Sequence, residues 1–312
     1  MKEGENTRLF FDVVQGKMME TRGLVTVYIL IYKNMKRISE LLESIARQTY
    51  KEIELLISDD GSPNITEEDL LEVVRPYEKR FTNVIINKNR GNNGTVRHIN
   101  GIIPKMHGKI LCGIAADDMF YNNDVIESIV DFFNENEAID IVTSKRYDES
   151  SGLVQPIEKV QEVIKNHFDR YKKIMFRATP LISGAGTFFR KDLFKKYGYF
   201  PEEFRLVEDA SFFSKLVSEG VRFGFLDKIT IFHGAGGVSD KNVIPHPWYE
   251  ADMDYLYSTW LYSLIPLDDK FSYRCVTYHK KRRLAKNTFQ ILILYMRYVD
   301  VCMWILKFYS GK

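Results

Sequence analysis

A chain of 312 residues, 45% apolar and 28% charged, has the length for one large or two modest domains and the composition of an ordinary globular protein. The net charge of +2 hides ten Lys/Arg against one acid, Asp300, between Lys270 and Lys312. The rest of the chain is therefore mildly acidic, which argues against nucleic acid as the partner of the globular part and suggests that the tail meets something anionic. Cys112, Cys275 and Cys302 are odd in number and far apart, which excludes a disulfide framework or a cysteine metal site and fits a reducing cytoplasm.

Residues 1–22 mix charges with short apolar fragments and hold no apolar stretch before a small-residue cleavage site, so a ragged leader is expected. Thr26–Ile31 reads as a buried strand, and Met35–Arg47 as a helix with Ile38, Leu41, Leu42 and Ile45 on one face. Ile53–Ile57 is a second strand, Glu67–Lys79 a helix and Asn83–Asn87 a short strand. A helix is expected from Thr95, then a strand at Ile110–Ala115, a helix at Asp124–Asn134 and a strand at Ile139–Ser144. Alternation of this kind predicts an α/β fold, a mostly parallel sheet with helices on both faces. Beyond Arg146 the rhythm loosens. Glu149–Gly152 is expected to turn a hairpin, Val160–Ile174 to form one helix, Ser183–Arg190 to enter a strand and Asp209–Ser218 to form a helix. Arg222–Leu226 and Ile229–Phe232 read as two short strands.

Three acidic pairs punctuate this pattern: Asp59-Asp60, Asp117-Asp118 and Glu208-Asp209. The first two follow apolar runs rich in β-branched residues, so an open α/β sheet delivers both to the crevice at the carboxyl ends of its strands. Each has a plainer explanation as well. Asp59-Asp60-Gly61 makes a turn, Asp117-Asp118 precedes a helix start, and Glu208-Asp209 suits a helix N-terminus, where acids contribute roughly 0.3–1 kcal/mol. Neither Ser183-Gly-Ala-Gly186-Thr187 nor His233-Gly-Ala-Gly-Gly237 is a Walker or dinucleotide fingerprint, so ATP and NAD lack support.

Taken in order, the segments resemble the family-2 glycosyltransferases of the GT-A fold. The likeness rests on Val25–Tyr32, Ser44-Ile-Ala-Arg-Gln48-Thr49, Asp59-Asp60-Gly61-Ser62, Asn93-Gly94, Asn100, Gly108, Glu208-Asp209 and His233–Ser239. It covers about residues 24–240. The resemblance implies a GT-A domain over 23–240, with a nucleotide-binding half at 23–120 and an acceptor half at 121–240, followed by a helical, basic region at 241–312. It implies an inverting enzyme that moves a sugar from a nucleoside-diphosphate donor, a UDP-sugar above all, to a glycan or lipid-linked acceptor in surface polysaccharide synthesis. Asp209 becomes the general base and Glu208 the residue that orients the acceptor. Asp118 becomes a ligand of Mg²⁺ or Mn²⁺, joined by His233. Tyr32, Asp60, Arg97, Asp117 and Gly186 then hold the donor, with Asp60 accepting from a uracil N3–H and Gly186 flooring the sugar pocket. The family's first metal-site carboxylate is replaced by Ala115, and its Ala-Arg pair by His98-Ile99, with Arg97 offered as the substitute cation. Ala115 also motivates an alternative, a non-catalytic nucleotide-sugar or glycan-binding module.

The tail over Asn287–Phe308 reads as one amphipathic helix, with Gln290, Arg297, Asp300 and Lys307 in a polar stripe roughly 100° wide. Its charges interrupt any apolar run long enough to span a bilayer. Two partners stay open for it: a membrane surface, with Lys280–Arg283 facing anionic headgroups, or a second subunit of a homo-oligomer. The expected location is the cytoplasm, with the membrane's cytoplasmic face as the alternative.

Overall fold

The computed structural model describes residues 23–177, 181–235 and 246–310. The leader over 1–22 and the segment 236–239 of the His233 motif lie outside the described residues. Strands β1 (Val25–Ile31), β2 (Ile53–Asp59), β3 (Asn83–Lys88) and β4 (Ile110–Ala115) form a parallel set in the order β3-β2-β1-β4. The sheet continues through β8 (Thr187–Arg190), β6 (Ile141–Asp148), β9 (Gly224–His233) and β5 (Met119–Phe120), with β7 (Leu153–Gln155) paired to β6. The pairings of β8 with β4 and with β6 are antiparallel, while β6 and β9 run parallel.

The parallel strands read as apolar runs because both faces are covered. Val25, Val27 and Ile29 of β1 and Ile53, Leu55 and Ile57 of β2 join one core with Leu41, Leu42 and Ile45 of α1 (Ile38–Ala46). Tyr28 and Leu56 point to the other face, as the two-residue period requires. Each fully buried aliphatic side chain contributes about 1.5–3 kcal/mol relative to exposure. The Ser44–Thr49 motif is a latch between elements. The Gln48 amide donates to the Ser44 and Asn122 carbonyls, at 3.0 and 2.8 Å, and its Oε1 accepts from Ile126 N at 3.1 Å.

Helices α2 (Glu67–Val74), α3 (Thr95–Ile102) and α4 (Val125–Glu135) follow the expected order. Three expectations are corrected. The helix expected over Val160–Ile174 is two, α5 (Glu158–Asn166) and α6 (Phe168–Arg177), broken at His167 with φ −140° and ψ 51°. The two short strands are one, β9, whose pairing with β6 shifts register around Lys145. A helix α7 (Asp192–Tyr197) precedes α8 (Glu208–Ser218).

The helices after residue 246 share the main core. They are α9 (Pro247–Tyr255), α10 (Leu261–Leu264), α11 (Lys270–Leu284), α12 (Thr288–Arg297) and α13 (Val299–Ser310). Leu256, Tyr257, Leu261, Val276 and Phe308 pack with α6 and α8 residues, so this C-terminal helical region shares the core of the sheet domain. The single tail helix is the third correction. It bends by 91° between α12 and α13 at Tyr298, which has φ −120° and ψ 36°. Arg274 of α11 spans the break, donating to the Arg297 carbonyl at 2.6 Å and pairing with Asp300 at 2.7 Å. Among the described residues, no single helix is long and apolar enough to cross a membrane.

Candidate active site

Strand order reverses at β1, which lies between β2 and β4, so the carboxyl ends of these three strands open a crevice at a topological switch point. Beside it is a cavity of about 220 Å³. Asp118, His233, Glu208 and Asp209 line it, together with Tyr28, Ala115 and the segment Ser183–Ala185. Asp118 of the second acidic pair thus shares a cavity with the third pair, although about ninety residues separate them in sequence.

Asp118 follows β4 and is 2% exposed. Its Oδ1 accepts from Gly234 N and from His233 Nδ1, each at 2.9 Å. A Cβ on Gly234 would lie 2.3 Å from the Asp117 carbonyl oxygen, so only glycine lets the β9 exit approach this closely. The Asp118 bond raises the His233 imidazole above its ordinary range, and burial raises the Asp117 carboxyl, helped by Asp118 beside it. Among the described residues, no three His, Cys, Asp or Glu side chains are grouped to hold a metal by themselves.

Glu208 and Asp209 open α8. Asp209 accepts from Gly184 N at 3.1 Å and from its neighbour Ala210 N at 2.6 Å. Burial raises its carboxyl against these two N–H groups. Burial, and then the charge of Asp209, push Glu208 up to about 8. Burial and mutual repulsion thus favour a proton held on this pair, and Glu208 is the member pushed up to about 8. The same shift makes stability pH-dependent. Unfolded Glu ionises near about 4.3, so the folded chain binds the extra proton between there and about 8. Stability from this group is complete below that window and is lost as pH rises through it. In Glu208→Gln the slope disappears. Thermal melts are expected to show the variant gaining on the parent steadily from about pH 5 to about pH 8.

The loop before α8 is held by a residue that no motif announced. Asp252 of α9, 6% exposed, accepts through Oδ2 from the backbone N–H groups of Arg205, Leu206 and Val207 at 2.6–3.0 Å. Arg205 stacks on the Trp248 ring at 3.0 Å from its centroid and donates to the Asn92 carbonyl at 3.2 Å. Arg146 on β6 was also missed. Its Nε is buried without a hydrogen-bond partner among the described residues, and it feels the charges of Asp148, Asp209 and Asp118. Both contacts are made by segments remote in sequence, so no local spacing marks them.

The first acidic pair divides its work. Asp59 makes the turn, accepting from Ser62 N at 2.9 Å and pairing with Lys88 at 2.7 Å. Asp60, 3% exposed, ties down the loop 89–94. Its oxygens accept from Asn89 Nδ2, Asn93 N and Gly94 N at 2.9–3.1 Å. Tyr32 stands 41% exposed beside this loop, its hydroxyl lowered by bonds to Asn92 and Lys33. Two expected donor contacts are placed elsewhere. Arg97 points outward to Glu202 at 3.5 Å, because its neighbours His98 and Ile99 take the buried face of α3. Gly186, at φ +81°, packs against Ser144 and does not line the cavity, where Ser183, Gly184 and Ala185 stand instead.

The family model for glycosyl transferase family 2 matches residues 26–198, more than half of the chain. An uncharacterised glycosyltransferase of Rickettsia felis is 30% identical over 223 residues, which cover 70% of this chain and 35% of that protein. The minor teichoic acid biosynthesis protein GgaA of Bacillus subtilis is 26% identical over 236 residues, covering 72% of this chain and 50% of its own length. The chain thus spans half or less of these relatives. Among solved structures, S. aureus TarS 1–349 in complex with UDP-GlcNAc superposes with a TM-score of 0.61 at 20% identity, over 85% of this chain and 73% of that one. With a GT-A sheet, Asp118 and the Glu208-Asp209 pair on one cavity and a family match over most of the sheet, the chain belongs to the family-2 glycosyltransferases.

Proposed function

We propose that this chain transfers a sugar from a UDP-sugar to a hydroxyl of a glycan or lipid-linked acceptor in the synthesis of a bacterial surface polysaccharide, with inversion at the anomeric carbon. The observation that carries the reading is the opening of Asp118 and of the Glu208–Asp209 pair on the same cavity. Asp209 takes the proton from the acceptor hydroxyl as its oxygen bonds to the anomeric carbon. The bond from that carbon to the diphosphate breaks, and the nucleoside diphosphate leaves. Protonated Glu208 donates a hydrogen bond that orients the acceptor. Inversion follows by analogy of fold. The relatives' names, teichoic acid synthesis in one and a UDP-GlcNAc complex in another, support the acceptor and donor classes.

The donor set suits Mg²⁺ or Mn²⁺: hard carboxylate oxygen from Asp118 with Asp117 adjacent, and the His233 ring, whose Nδ1 is spent on Asp118. Such ions commonly take one or two carboxylates and complete their shell on substrate phosphates, which fits a site where no three ligands are grouped among the described residues. When bound, the ion would compensate charge on the leaving diphosphate. Tyr32 offers a ring face to the base. Asp60 serves by holding the loop 89–94, since direct contact with a uracil N3–H competes with bonds already in place.

Calorimetry with UDP tests the metal side. Asp118→Asn is expected to lose at least about tenfold in UDP affinity with Mn²⁺ present, and to match the parent in EDTA. Equal affinities under both conditions would remove Asp118 from the metal site.

A further inference from the structure

A second cavity, of about 310 Å³, lies where α5 and α6 meet α13, with the buried Ile174 of α6 among its lining residues. Five cationic side chains line it, Lys159, Arg170, Lys173, Arg177 and Lys307, with Trp304 and Phe308 between them. No carboxylate is among its lining residues. Among the described residues, only Arg177 of the five has a carboxylate partner, Asp269 at 3.2 Å. Lys159 donates to the Lys307 carbonyl at 3.2 Å and lies over the Phe308 ring. Like charges gathered without counter-charge repel one another unless an anion joins them.

The neighbouring surface is strongly apolar. Phe289, Met296, Val299, Met303 and Leu306 of α12 and α13 are each 57–70% exposed. Large exposed apolar patches mark interaction sites, and apolar helices beside a basic cluster match the chemistry of a bilayer interface. Within the Lys280–Arg283 cluster, Arg283 is paired with Glu250 at 2.6 Å.

We propose that this cavity binds the phosphates of anionic membrane lipids, while α12 and α13 lie flat among the acyl chains. The 91° bend gives two short helices instead of a span, so the chain docks on one leaflet. Helix α6 also packs on α8, which carries Asp209. Docking there holds the catalytic cavity near a lipid-linked acceptor, a benefit that rests on the transferase reading, whereas lipid binding itself does not.

The test is co-sedimentation of the full chain with phosphatidylcholine vesicles, with and without phosphatidylglycerol. The chain is expected to bind only the anionic vesicles and to be released by salt. In the triple variant Lys159→Ala, Arg170→Ala, Lys173→Ala the affinity should fall on the order of a hundredfold, at about fivefold per cation. Its UDP affinity should equal the parent's, which separates loss of docking from loss of fold and from failure of the transferase reading. Met303→Ser with Leu306→Ser should weaken binding and leave the salt dependence in place. Equal binding of the triple variant, equal binding to neutral vesicles, or binding of inorganic phosphate without binding of vesicles each overturns the proposal. So does light scattering that shows a stable dimer indifferent to vesicles.

Discussion

Asp209→Asn is expected to lower turnover at least a hundredfold while UDP affinity stays within a few-fold. The substitution is nearly isosteric. One oxygen remains to accept from Gly184 N or Ala210 N, so the start of α8 should keep its place. What disappears is a carboxylate able to take a proton, and a positioned general base is commonly worth 10²- to 10⁴-fold. The burial that raises this carboxyl also improves it as a base near neutral pH. A fall in kcat and kcat/KM together, with donor binding retained, is the signature of an interaction made in the transition state. If the variant transferred sugar at the parent's rate, the base would lie elsewhere and the acidic pair would only begin a helix.

The second large effect is expected from Asp252→Ala, a change outside the cavity. It strips the acceptor from three backbone N–H groups in the loop that delivers Glu208 and Asp209. An unsatisfied buried donor costs about 1–3 kcal/mol, so a loss of about 3 kcal/mol or more is expected in denaturant melts. Turnover should fall at least about tenfold, because a misplaced base loses rate before it loses fold. Asp252→Asn keeps one accepting oxygen and should recover part of both. A variant Asp252→Ala with unchanged melt and unchanged kcat would show that the loop is held by other contacts, such as Arg205 on Trp248.

These two residues also mark what the sequence made legible. Asp209 was readable because it starts an amphipathic helix within an acidic pair in family order. The parallel strands were readable because burial on both faces leaves near-continuous apolar runs, and Asp117-Asp118 because it follows one of them. Asp252 looked like any acid on a helix. Its role is made by folding α9 against a loop some 45 positions earlier. Arg146 was invisible for the same reason, since only folding brings it near Asp118 and Asp209. The tail was misread because its bend has no Pro or Gly. The break at Tyr298 is spanned by Arg274 from another helix, and a periodicity count cannot register such a contact. Asp60 was located correctly at the end of β2, but its occupation by Asn89, Asn93 and Gly94 depends on a loop thirty residues away.

The most direct test of the central claim is slow donor hydrolysis by the purified chain, measured across a panel of nucleoside-diphosphate sugars with Mn²⁺ and then with EDTA. A UDP-sugar is expected to be consumed, releasing UDP, with activity lost in EDTA and in Asp118→Asn and reduced at least a hundredfold in Asp209→Asn. A chain that binds UDP but consumes no donor, alone or with glycan acceptors added, would contradict the account and leave a nucleotide-sugar-binding module in its place.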